Sequence, residues 1–136
     1  MEIEKLYLKS ISGDLDSLKA LLEELTRYIP PGIDNMVFLV DKGDYSLYLS
    51  RDGMKSVMVA RGEFLPFIES HVARMSIDRL KEEDLRAIAE RLPEILREIR
   101  LNASKYLEIL DEGSGEYEDI ARFISIVDEV LHHSTS

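Results

Sequence analysis

Two acidic motifs hold the most chemistry in this chain. Glu108-Ile109-Leu110-Asp111 and Glu116-Tyr117-Glu118-Asp119 each place two carboxylates three residues apart. On a helix that spacing puts both on one face, where they could hold Mg²⁺ for pyrophosphate chemistry. Such a site needs a matching Glu-x-x-Glu on another helix, and the sequence has none. The acids are therefore read as helix-end residues. Glu129-Val130-Leu131-His132 has the spacing of half a di-iron site. The other histidines, His71 and His133, have no Glu three residues before them, so the second half is missing. Cys is absent, which excludes thiolate metal sites and a Cys nucleophile. Gly113-Ser114-Gly115 is expected between helices, not after a strand as a nucleophile elbow must be. Phosphate-cradling glycine motifs are absent as well. No catalytic residue, metal ligand or cofactor is expected.

A basic and aromatic set, Arg51, Lys55 and Arg61 beside Tyr48, could in principle meet single-stranded nucleic acid. The balance of charge opposes it. The chain carries 27 acids against 17 bases, net −10, and an acidic chain repels phosphate backbones. Residues 36–75 carry five acids and five bases, while residues 111–136 carry seven acids against Arg122 alone. The excess acid near the C-terminus is read as a solvated helix face.

The elements that would position these residues follow from periodicity. Residues 2–11 are ambiguous and lean to helix. Ser12-Gly13-Asp14 then interrupts the chain, and Leu15, Leu18, Leu22, Leu25 and Ile29 recur at helical spacing. A helix over 14–28 follows, ended by Pro30-Pro31. Residues 36–61 read as a three-stranded antiparallel meander. Its second turn is centred on Asp52-Gly53, which suits a type I′ turn and sets Ser50 opposite Lys55 and Tyr48 opposite Val57. One face then holds Tyr45, Leu47, Leu49, Met54, Met58 and Ala60, and the other Tyr48, Val57 and Val59. Phe64, Ile68, Val72 and Met75 predict a helix over 63–75.

A long periodic run follows over 81–111, with Pro93 inside it. With no cap or glycine near Pro93, the run predicts one kinked helix of roughly 45 Å. The glycine-rich connection after it makes a last helix, 116–132, its antiparallel neighbour. The expected fold is α+β in one domain of 136 residues: an N-terminal helix, the meander, then three helices.

The first strand, Met36-Val37-Phe38-Leu39-Val40, is apolar on both sides. A sheet with one wet face should alternate. Tyr48, Val57 and Val59 make the second face greasy too, and Leu96, Leu101 and Leu107 widen the apolar surface of the long helix. These six residues form the expected interface. The expected partner is a second copy of the chain or another protein subunit, not nucleic acid or a membrane. The chain is therefore expected to be a non-enzymatic assembly module. A small enzyme using clustered carboxylates and a nucleic-acid-associated subunit are the alternatives. No apolar run approaches the ~20 residues of a membrane span. Met1-Glu2-Ile3-Glu4-Lys5 is acidic where a signal peptide is basic, so a cytoplasmic location is expected. The lack of Gln and Cys, with abundant Glu and Arg, suggests a thermophilic source.

Overall fold

A computed structural model of the chain describes residues 2–61 and 68–135, of which 59–61, 68–71 and 133–135 are described for the backbone alone. The ambiguous first segment is a helix, α1 (Glu2–Ile11), with Ile3 and Tyr7 buried. Gly13 takes φ 105°, a turn open to glycine. Asp14 then caps α2 (Leu15–Leu25): the Ser17 backbone N–H donates to its carboxylate at 3.2 Å. Leu18, Leu21, Leu22 and Leu25 form one buried stripe. A 3₁₀ turn, Thr26–Tyr28, extends the helix before the prolines stop it. The Tyr28 ring stacks on Phe123, with centroids 4.4 Å apart and planes 5° from parallel.

The sheet has four antiparallel strands, not three: β1 (Val37–Asp41), β2 (Ser46–Ser50), β3 (Gly53–Arg61) and β4 (Ile68–Met75), in that spatial order. The helix expected over 63–75 is thereby corrected, with 62–67 outside the described residues. Ile68 and Val72 stand four apart, and four is a multiple of the strand period as well as close to a helical turn. β-Branched side chains at both positions favour the strand.

The turn between β2 and β3 differs from the expected one by two residues. Ser50 pairs with Gly53, Leu49 with Met54 and Tyr48 with Lys55. A type I′ turn on Asp52-Gly53 needs positive φ at both residues. Only glycines have positive φ among the described residues, and here it falls on Gly53 alone, at 124°. Arg51 and Asp52 therefore make the turn, and Gly53 follows it. A slip of two preserves which side chains share a face. Leu47, Leu49 and Met54 are accordingly all buried on one side, as expected.

A bulge explains the doubly apolar β1. Phe38 pairs with Tyr48, but Val40, not Leu39, pairs with Leu47. The extra residue lets Leu39 and Val40 both reach the core side.

The long run over 81–111 is divided at Arg91 into α3 (Glu82–Glu90) and α4 (Leu92–Leu107). Arg91 sits at φ −99°, ψ 3°, outside the helical basin. Pro93 lies in the first turn of α4, where its missing N–H leaves no bond unmade. α5 (Gly115–Thr135) is capped by Ser114, whose Oγ accepts from Tyr117 N–H at 3.1 Å. Arg100 pairs with Asp128, and Tyr106 reaches Glu116, so α4 and α5 run antiparallel as expected. The closest helix-to-strand packing is that of α3 and α4 on β1. No described helix is long and apolar enough to cross a membrane.

The core joins all these elements. Leu22 and Leu25 of α2, Leu47 and Leu49 of β2, Leu92 and Ile99 of α4, and Phe123 and Val127 of α5 belong to one buried cluster. Each such side chain contributes on the order of 1.5–3 kcal/mol when enclosed.

Candidate interaction surface

The β2–β3 turn gathers several polar contacts among the described residues. Asp52 lies 3.0 Å from Arg74 Nη2 on β4 and 3.1 Å from Lys55 Nζ on β3. Ser50 Oγ–H shares its proton between Asp52 Oδ1, at 2.7 Å, and the Gly53 carbonyl, at 2.9 Å. The Ser50 hydroxyl, then Arg74 and Lys55, hold the Asp52 carboxyl well below its ordinary range. Arg51 turns the other way. Its Nη2 donates to Glu116 Oε1 at 2.8 Å, which joins the turn to the start of α5.

These pairs engage the described part of the expected basic patch. Arg51 is paired with Glu116, while Lys55 shares the one carboxylate of Asp52 with Arg74, so the cluster keeps one positive charge in excess. Arg61 is the last residue of β3, and its side chain lies outside the described set. The second acidic motif is drawn into ion pairs also. Glu116 meets Arg51, and Asp119 lies 3.7 Å from Arg122. Among the described residues, no three His, Asp or Glu side chains gather as a metal-binding set.

The six expected interface residues fall in different surroundings. Leu96 is fully enclosed in the core of the chain itself. Leu101 is exposed on α4, and Leu107 is half-buried at its end. Tyr48 is half-buried on the second face of the sheet, where its ring meets Phe38 edge-on at 5.7 Å. Val57 is half-buried on β3, in register with Ser46 on one side and Val72 on the other. Val59 pairs in backbone register with Ser70, and its side chain is outside the described set.

The greasy second face is covered unevenly. Arg91 lies over Phe38, with its guanidinium carbon 4.7 Å from the ring centroid. Pro31, Ile33 and Met36 overhang the other end. With Lys55 and Val72 they border a groove of about 350 Å³. Beyond these the surface is open. On this face Val72 is 44% exposed and Ile33 beside it 67%, while Met58, 47% exposed, stands on the opposite face with Met54. Sequence reasoning missed Val72 as a surface residue because β4 was read as a helix. Its position directly beside Val57 emerges only once β4 is a strand.

The two sheet edges are treated differently. At β1 the bulge breaks the ladder, and Arg91 Nη1 donates to the Phe38 and Leu39 carbonyl oxygens at 3.4 and 3.2 Å. β4 has no such cover among the described residues. It pairs with β3 in unbroken register over eight residues, and Val72, Ala73 and Arg74 are all exposed. No protein-family model, curated protein or solved structure matches this chain.

Proposed function

We propose that the chain is a protein-interaction or assembly module that associates with a second copy of itself. The observation that carries this is the exposed apolar set on the sheet. Val72 and Ile33 stay open to water beside half-buried Val57, Met36 and Tyr48, on the side of the sheet turned away from Leu47 and Leu49. A chain that already encloses Leu47, Leu49 and Met54 gains more by covering these residues than by leaving them wet. The charge distribution is compatible with a like partner. Net −10 opposes self-association in general, but residues 36–75, which include the whole sheet, carry equal numbers of acids and bases.

Sedimentation equilibrium on the intact chain tests this. The expected result is a mass of two chains that falls toward one on dilution. A mass of one chain throughout the micromolar to millimolar range overturns it.

A further inference from the structure

The open edge of β4 fixes how such a dimer would be built. We infer that two copies join edge to edge through β4, antiparallel, about a two-fold axis at Val72, making one continuous eight-stranded sheet. This rests on the self-association proposed above and specifies its seam: of the exposed apolar set it covers Val72, while Ile33 and Met36 stay on the face of the joined sheet.

An edge strand presents a row of backbone N–H and C=O groups ready to pair, and proteins blunt such edges with prolines, bulges, charges or covering elements. β1 has a bulge and the Arg91 side chain. β4 has no proline in its sequence, Ile68-Glu69-Ser70-His71-Val72-Ala73-Arg74-Met75, and no interruption of its ladder with β3. Its charge is self-cancelling, one Glu and one Arg in a chain of net −10. A second copy can therefore approach here without the repulsion that α5, rich in acids, would raise.

Symmetry selects the register. Two antiparallel strands joined in one sheet by a two-fold axis keep their faces, so residues of like parity lie opposite each other. With the axis at Val72, Val72 lies opposite the partner's Val72, and Arg74 opposite the partner's Ser70. The row Ser46–Val57–Val72 then continues into the same row of the copy, and two exposed valines cover each other. An axis one residue earlier sets His71 against the partner's His71 and Arg74 against the partner's Ile68. An axis at Arg74 opposes two like charges. An axis at Ala73 joins two smaller side chains and sets Val72 against the partner's Arg74, so Val72 gives the larger apolar match at the centre with no like charges opposed.

The absence of Cys makes the test direct. Val72→Cys in the full chain, mildly oxidised, should convert most of the protein to a disulfide-linked dimer on a non-reducing gel. Opposed strand residues have Cα atoms about 4.5–5.5 Å apart, within disulfide range. Met58→Cys, equally exposed but one strand further from the axis, should not cross-link. Val72→Lys should halve the sedimenting mass while leaving the circular dichroism spectrum unchanged. A wild-type dimer with no Val72→Cys cross-link, and a Val72→Lys variant that stays dimeric, sinks the β4 geometry and leaves self-association standing. A wild-type chain that never exceeds one protomer sinks both.

Discussion

Arg91 sits over the Phe38 ring at 4.7 Å and, with the same guanidinium, donates to the carbonyl oxygens of Phe38 and Leu39. One side chain thereby shields an aromatic face and donates to two carbonyl oxygens at the bulge in β1. It can do so because the helical run breaks at Arg91 itself, which places that side chain at the junction of α3 and α4. Arg91→Ala should destabilise the fold by about 1–2 kcal/mol, combining a cation–π contact with hydrogen bonds to carbonyls. Arg91→Lys should recover only part of this, because an ammonium lacks the planar fork. Urea unfolding of the three proteins checks the order. Equal midpoints for Arg91→Ala and wild type would show that the edge needs no cover.

Asp52 should make the chain acid-sensitive in a defined direction. Its carboxyl is lowered in the folded chain by Ser50, Arg74 and Lys55, from an ordinary value of 3.8. At neutral pH it is ionised both folded and unfolded, and its contribution to stability is whole. As pH falls through 3.8 the unfolded chain takes the proton first, and the contribution is lost progressively toward the lower folded-state value. Asp52→Asn should therefore lower Tm at pH 7, and the gap to wild type should narrow by pH 3. A gap that widens on acidification contradicts the assignment.

Gly53 and Gly115 should respond oppositely to alanine. Gly53 holds φ at 124°, with nothing within 4 Å of where a Cβ would stand, so the cost is conformational. Gly53→Ala should destabilise by roughly 1–3 kcal/mol. Gly115 opens α5 without positive φ and also faces free space. Gly115→Ala should stabilise by about 0.4–1 kcal/mol through the unfolded chain. Thermal unfolding of both variants distinguishes the two signs.

Lys42, in the turn between β1 and β2, donates to Asp84 in the first turn of α3, and the Asp84 side chain is only 7% exposed. The Asp84 hydrogen bond and charge hold the Lys42 ammonium above its ordinary range. Lys42→Met removes the cation and leaves an enclosed carboxylate unmatched. Its Tm should fall further than that of Lys55→Met, whose partner Asp52 keeps Ser50 and Arg74. The reverse order would place the more important ion pair at the β2–β3 turn.

Much of this architecture was legible in the residues. Leu18, Leu22 and Leu25 announced α2, because helical spacing is local. The buried face of the meander was legible too, since a two-residue slip leaves side-chain parity intact. β4 was not, because the four-residue spacing of Ile68 and Val72 satisfies two periods. The break at Arg91 was hidden for a different reason: Pro93 is compatible with both a kink and a new first turn, and packing on β1 decides between them. The apolar character of β1 was visible as a pattern, but its causes, a bulge and a distant arginine, are tertiary. Of the expected interface, Leu96 belonged to the core, because a helical stripe alone does not say how wide the covering layer is. Val72 entered only with the sheet.

The stacking of Tyr28 on Phe123 has a consequence for how the chain is born. Tyr28 closes the first helical hairpin, whereas Phe123 lies in α5, and both border the same core. A nascent chain halted before α5 would hold α1, α2 and the sheet without the side chains that seal them. Completion must wait for α5 to clear the ribosome, so truncations that trim α5 should be taken by proteases rather than tolerated as shorter domains.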